Sequence, residues 1–551
     1  MKRNIRVRFP RNRMSIALAT VLLGVSGASQ GMSIDVGNPD IDLRWDNTVR
    51  YTGAWRVNPI SPAFYRSPGY DETEGRFKSG DMIINRVDLL SELDFIYQGK
   101  YGFRVSGAAW NEMAYGTNSV RNPAISSSNY ANGAYNSYAR RYIVGPSGEL
   151  LDAFVFGTFE LGQTSLSVKL GQHNVYWGES LYSVSNSIAY AQGAVDTIKA
   201  ATSPGAEAKE LYLPRNQLSA QMQLTDTFSV AGQYAFAWAP YRIVPGGTYF
   251  ASGDAARSDY AAPGLPNGPD LTPKNHGDFG VNARWSPAEL GGTVGLYFRK
   301  FDEKLPWGFT QVTPAGSSLR YNFARGTELY GVSFTRNIST VSVGTEMSFR
   351  RNTALNAVGG YVVRPTNGSS ASYAEAEGPR GNTLHAVINA VYLLPRSPLW
   401  AGGTLQGEIN YSRLLAVTTN PNLYNGVGYG CPAGQTKNDG CSTKDAWGIN
   451  IGFTPQWPQA IAGWDISMPM SLAYQIAGNG PALGGGNQGS ISWSIGVTGL
   501  LYSKYELGVK YVSARARYNV NPITGVVTTT NGSNAVQSQH DWVALTFKTT
   551  F

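Results

Sequence analysis

Trp542-Val-Ala-Leu-Thr-Phe-Lys-Thr-Thr-Phe551 puts Val543, Leu545 and Phe547 on one face of an extended segment and Trp542, Ala544, Thr546 and Lys548 on the other, before an aromatic last residue. A two-residue period is the signature of a strand with one apolar face. The same period recurs upstream. It predicts strands at 41–53, 84–97, 101–112, 153–161, 165–173, 217–224, 228–238, 278–285 and 293–301. Further strands are predicted at 327–336, 340–350, 383–393, 404–414, 446–455, 465–476, 490–500, 505–513 and 541–551. The count is about 18, within a range of 16–18.

The connections between these segments alternate in length. Gln98-Gly99-Lys100, Gly162-Gln163-Thr164, Thr225-Asp226-Thr227 and Asn337-Ile338-Ser339 are tight, whereas 54–83, 113–152, 174–216, 239–277, 302–326 and 351–382 are long. Short periplasmic turns and long external loops are the pattern of a closed antiparallel transmembrane barrel with both termini on one side. No apolar run approaches the roughly 18 to 20 residues of a spanning helix. A closed sheet is the remaining way to satisfy backbone polar groups across a bilayer. The composition agrees: 64 Gly, 32 Tyr and 13 Trp beside 15% charged residues suit strands with aromatic girdles. A β-propeller shares that bias but needs a blade repeat, which is absent.

At the other end, Lys2, Arg3, Arg6, Arg8, Arg11 and Arg13 precede an apolar stretch from Met14 to Val25 and the small residues Ser26-Gly27-Ala28. This is the pattern of an export leader over 1–28, leaving 29–551 as one barrel domain. Six of the 45 Lys+Arg lie in that leader, so 39 remain against 37 Asp+Glu, and the overall basic balance gives no reason to expect nucleic acid. The only two cysteines, Cys431 and Cys441, flank the turn-rich PAGQTKNDG, and in an oxidising exported location they are expected to pair.

Alternation also assigns faces. A charge facing lipid near mid-depth costs about 2 to 4 kcal/mol. Asp42, Arg44, Asp46 and Arg50 on the first strand therefore point inward, as do Arg86, Asp88, Glu92 and Asp94 on the second. Arg104, Lys169, Arg284, Arg299, Glu346, Arg350, Glu408, Glu506 and Lys510 follow. Two readings of this mixed lining stand. Opposed acids and bases set a transverse field that orients charged solutes, or they pair across strands and select nothing, the commoner outcome in a wet lumen.

The third long loop carries the strongest local signal, Gly171-Gln-His-Asn-Val-Tyr-Trp-Gly-Glu179 followed by an Ala- and Ser-rich, Pro-free stretch to Ala201. We expect it to hold a short helix and fold into the lumen as a constriction, with Trp177, Glu179 and Tyr176 at the solute path. The competing reading places Tyr176 and Trp177 in the outer aromatic girdle.

The terminal strand ending on Phe551 resembles the last strand of Gram-negative outer-membrane barrels, which implies recognition by the barrel-assembly machinery. Asp35-Val-Gly-Asn-Pro-Asp-Ile-Asp-Leu-Arg-Trp-Asp-Asn-Thr-Val-Arg-Tyr51 and Trp177-Gly-Glu-Ser180 resemble the family known as domain of unknown function 1302. Members often carry Gly-Arg-Gln before the Trp-Gly-Glu. Here Gly171-Gln172-His173 stands instead, so no role of that arginine transfers. The resemblance implies a porin-like outer-membrane barrel among lipids, moving small organic solutes of lipidic, steroid or hydrocarbon character. A receptor or adhesin barrel acting through its long loops is the alternative.

Enzymatic chemistry finds little support. The histidines, at 173, 276, 385 and 540, are far apart, and no HExxH, GxSxG, Walker or paired CxxC motif occurs. His173 and His385 are the two that an outer-membrane enzyme would use, but a solitary strand histidine is more often a lumenal hydrogen-bonder. No cofactor or metal is expected.

Overall fold

Eighteen antiparallel strands close on themselves in sequence order in a computed structural model that describes residues 32–119, 128–532 and 534–551. They are β1 (Ile41–Arg56), β2 (Met82–Tyr97), β3 (Tyr101–Glu112), β4 (Ser147–Leu161), β5 (Thr164–His173) and β6 (Arg215–Gln223). Next come β7 (Phe228–Ala235), β8 (Phe279–Trp285), β9 (Gly292–Phe301), β10 (Thr327–Ile338), β11 (Val341–Ala354) and β12 (Arg380–Leu393). The series ends with β13 (Gly402–Thr419), β14 (Asp445–Ile461), β15 (Trp464–Ser467 and Met470–Ala477), β16 (Ile491–Leu501), β17 (Tyr505–Arg515) and β18 (Trp542–Thr550). Each predicted strand has its counterpart, and β18 closes the barrel on β1 from Thr48↔Thr550 to Arg56↔Trp542. The leader expected over 1–28 lies outside the described residues.

Local chemistry explains where boundaries moved. β4 begins six residues before the predicted Ala153, because a bulge on β4 itself, with one extra residue between the pairs Leu150↔Gly107 and Ala153↔Val105, breaks the two-residue alternation upstream. β15 is broken at Met468-Pro469, since proline has no N–H for the ladder. Turn and loop connections alternate around the whole ring. The long connection 302–326 contains a hairpin, Trp307–Thr313 with Gly316–Asn322, which a parallel strand from the next loop, Tyr361–Val363, extends.

The exterior is apolar on every side. Val155, Leu296, Ile388 and Val509, on β4, β9, β12 and β17, are 52–58% exposed, a distribution that suits hydrocarbon and would be untenable in water. Aromatic pairs border this band at both ends. Phe95–Phe103 and Tyr505–Phe547 lie near the turns, and Tyr411–Trp447 and Trp493–Tyr511 near the loops.

Above the band, the first, second, fourth and ninth loops pack into a cap. Its core holds Phe77, Tyr115, Tyr130, Tyr135 and Tyr249. The Tyr130 and Tyr135 hydroxyls donate to the Gly246 and Gly247 carbonyls, each at 2.7 Å. Buried Glu74 joins Arg56 to His540, at 2.5 and 2.9 Å. Cys431 and Cys441 are disulfide-bonded within the seventh loop. Closing so short a segment is worth about 3 kcal/mol of chain entropy at most. The double variant Cys431→Ser/Cys441→Ser is therefore expected to assemble normally and to loosen only residues 425–443, read as faster amide exchange there. Loss of heat-resistant folded mobility on electrophoresis would contradict that locality.

Candidate functional site

The third loop, 174–214, hydrogen-bonds to inward-facing side chains on opposite sides of the barrel, so it lies inside. It makes two excursions. The first leaves β5 and reaches β13, where the Glu408 carboxylate accepts from the amides of Leu181 (2.5 Å), Tyr182 (3.0 Å) and Ser183 (2.6 Å) and from the Ser180 hydroxyl (3.2 Å). Returning, the loop passes Glu346, which accepts from the Ile188 amide at 3.1 Å. It then passes Arg350, which donates to the Ser185 and Ser187 carbonyls at 2.8 and 3.1 Å. Arg299 donates to the carbonyls of Ile188 and Tyr190, both at 2.7 Å. The second excursion crosses to β1 and β2. There Arg50 forms a bidentate pair with Glu210, both arms 3.0 Å, and Glu92 pairs with Lys209 at 2.7 Å.

α-Helix forms only late in the loop, at Thr197–Thr202 and Ala208–Leu211, after a single 3-10 turn at Val184–Asn186. Asp196 caps the first by accepting from the Lys199 amide, satisfying a donor that the helix start would otherwise orphan.

Missing side chains on the wall make room for the loop. At Gly280 a Cβ would sit 2.7 Å from the Trp177 ring. At Gly331 it would meet Ile188 at 2.7 Å, and at Gly452 it would lie 2.3 Å from the Tyr182 hydroxyl. Trp177 thus packs against the inner wall, in the cluster of Ile188, Tyr190, Tyr297, Phe301 and Leu329. Its place is inside the barrel and not in the outer girdle. Tyr176 is partly exposed and stacks edge-on against Tyr212 of the loop's own return, with ring centroids 4.7 Å apart.

One expectation is corrected. Glu179 does not face a solute path: its carboxylate is 6% exposed and turned to the wall, 3.1 Å from Arg284 and accepting from Ser333 at 3.3 Å. A charge-assisted partner is available on β8, and an acid leaves solvent when such a pair replaces its hydration.

The other wall charges sort by task. Asp42 and Arg44 (3.7 Å), Arg86 and Asp88 (2.9 Å) and Arg104 and Asp94 (2.6 Å) pair among themselves. Asp46 makes no ion pair among the described residues, and one of its carboxylate oxygens is buried without a hydrogen-bond partner. Glu92, Glu346 and Arg350 hold the loop. Mutual pairing thus accounts for part of the mixed lining and loop anchoring for most of the rest.

Sequence reasoning placed Glu408 and Arg299 inward but did not single them out, and it missed Tyr182, Asn186 and Asn389. Asn389 donates to the Glu179 carbonyl at 2.7 Å, and Asn186 donates to Asn410 at 2.9 Å. For Glu408, Arg299 and Asn389 the legible signal was inward parity on strands that reach the loop, whereas Tyr182 and Asn186, in the loop itself, carried none. His385 contacts Thr383 and Asn186, and His173 contacts Ser219 and the Gly171 carbonyl, so both serve as lumenal hydrogen-bonders.

Similar solved structures include OpdK from Pseudomonas aeruginosa, crystallised with vanillate. It is 9% identical over 92% of this chain and 98% of that one, with a TM-score of 0.40. A BenF-like porin from Pseudomonas fluorescens is 10% identical over 93% and 98%, at 0.41. OccAB4 from Acinetobacter baumannii is 9% identical over 93% and 100%, at 0.40. No curated protein matches the chain. The family model described as protein of unknown function DUF1302 matches residues 13–551, and the chain belongs to that family.

Proposed function

We propose that this chain is an outer-membrane channel that passes small organic solutes, hydrophobic ones included, around the lumen-folded third loop. The observation that carries the reading is an uncovered arc of wall. Among the described residues the third loop makes no hydrogen bond or ion pair to β15, β16 or β17, whose inward positions include the small residues Ser471, Ala473, Ser494, Gly496, Thr498 and Gly508 beside the longer Gln475, Leu500, Glu506 and Lys510. A barrel of this strand number is wide enough for water. A loop pinned on the other strands narrows it while leaving that arc free.

In this reading residues 1–28 are the export leader, the apolar band meets membrane lipid, and Phe551 at the seam is the mark for the assembly machinery. Purified protein is expected to give discrete conductance steps in planar lipid bilayers. Folded barrels that insert without any conductance would overturn the channel and leave the loops as a binding surface.

A further inference from the structure

We propose that Phe154, Phe156 and Lys169 form a subsite for an amphipathic carboxylate on the lumenal wall beside the third loop, a reading that rests on the channel proposed above. Two inward-facing phenyl rings stand outside the apolar cluster that seats Trp177, in a lumen that is mostly polar. They stand two residues apart on β4, with centroids 6.2 Å apart.

Glycine partners leave room for the Phe156 ring and for the close approach of the Phe154 backbone to β5. A Cβ at Gly102, the register partner of Phe156 on β3, would sit 2.8 Å from its ring, and one at Gly171, the partner of Phe154 on β5, would sit 3.2 Å from the Phe154 Cβ. Lys169, which pairs in register with Phe156, carries its amine 5.3 Å from the centroid of the Phe154 ring.

The neighbouring charges are mostly spent. Arg104 is bidentate with Asp94, Glu92 holds Lys209, and His173 uses both ring nitrogens on Gly171 and Ser219. Asp152 is engaged by the Ser106 hydroxyl and lies beyond ion-pair distance of any base. Lys169 is exposed and forms no ion pair among the described residues. An apolar surface edged by one free cation matches a solute with an apolar body and one carboxylate. A cationic solute would meet Lys169 already on the ring face.

The test uses the full chain in planar bilayers with three probes: 3-phenylpropionate, acetate and 3-phenylpropylamine. Block by phenylpropionate is expected at much lower concentration than block by acetate or the amine. Lys169→Gln should weaken phenylpropionate block about fivefold, the scale of a partly exposed ion pair, and Lys169→Arg should restore it. Phe154→Ser and Phe156→Ser should each weaken it about tenfold through lost apolar contact, while Asp152→Asn should strengthen it by removing a negative charge that repels the incoming carboxylate.

Unchanged phenylpropionate block in Lys169→Gln, or acetate blocking as well as phenylpropionate, would overturn the subsite. Saturation-transfer NMR on detergent-solubilised protein separates the two readings. Lys169-dependent binding without any conductance would defeat the channel and keep the subsite. Conductance with no Lys169-dependent binding would defeat the subsite alone.

Discussion

Glu408→Ala is expected to raise conductance severalfold and to make the open current noisy, while the barrel itself stays folded. Three consecutive loop amides and one hydroxyl converge on this carboxylate, which is nearly fully buried. Orphaning a buried donor costs about 1–3 kcal/mol, and the inward acceptors that flank Glu408 on β13, Gln406 and Asn410, are already engaged by the Tyr182 hydroxyl and the Asn186 amide. The cheapest response is for the tip of the first excursion to leave β13 and hydrate. The ladder from β12 to β14 does not depend on the side chain, so heat-modifiable mobility should persist. Glu408→Gln should fall between the two, because the amide keeps one acceptor oxygen and turns its NH2 toward loop donors. Unaltered conductance in Glu408→Ala would mean that the remaining anchors, Glu346, Arg350 and Arg299, suffice.

The second large effect concerns pH and the external cap. Asp71 and Glu72 of the first loop pack against Asp254 of the fourth, whose carboxylate accepts from the amides of Glu72 (3.1 Å) and Thr73 (2.8 Å) and from the Thr73 hydroxyl (2.6 Å). Burial, then the Asp254 charge, pushes Asp71 up to about 7. Burial foremost pushes Glu72 to about 7 as well, and Asp254 is raised by burial. A carboxyl whose folded value is raised binds more protons in the closed cap than in the open one. Cap stability is therefore greatest below the ordinary carboxylate range and falls as pH climbs from about 4 to about 7, beyond which the loss is complete. Hydrogen exchange at 70–75 and 246–254, corrected for its intrinsic pH dependence, should show at least about tenfold less protection at pH 8 than at pH 5, since each pKa unit is a factor of ten. Asp71→Asn should flatten that dependence. Equal protection at both pH values would exclude these acids as its source.

Much of the fold was legible because strand periodicity, loop length and charge placement are local or nearly so. Alternation over 340–350 alone put Glu346 and Arg350 inside, and the structure finds both there. The direction of Glu179 was not legible, because it depends on Arg284 and Ser333, more than a hundred residues downstream, meeting the loop at one height of the wall. The same holds for the cap, where Glu74 meets His540 across 466 residues. Helix in the third loop was anticipated from composition, yet only its later part is α-helical, the earlier part holding a single 3-10 turn. The amides of Leu181, Tyr182 and Ser183 go to Glu408 instead of to the loop's own carbonyls. Glycines such as Gly280 and Gly452 read as generic strand glycines until the ring that each one accommodates is known.

The seam between β1 and β18 has a kinetic consequence. Thr48 and Thr550 face each other with hydroxyls 2.9 Å apart, and the Asn47 and Phe551 backbones exchange both hydrogen bonds. These contacts span 502 residues for the threonine pair. Folding slows as contacts become more distant in sequence, because the entropy of closing the loop is spent before the pairing repays it. Seventeen of the eighteen strand pairings join neighbours in sequence and can zip progressively, but the last waits for the whole chain and leaves two exposed edges until then. An unclosed intermediate is thus an obligatory stage of assembly, and ring closure is the step at which help from outside the chain would matter most.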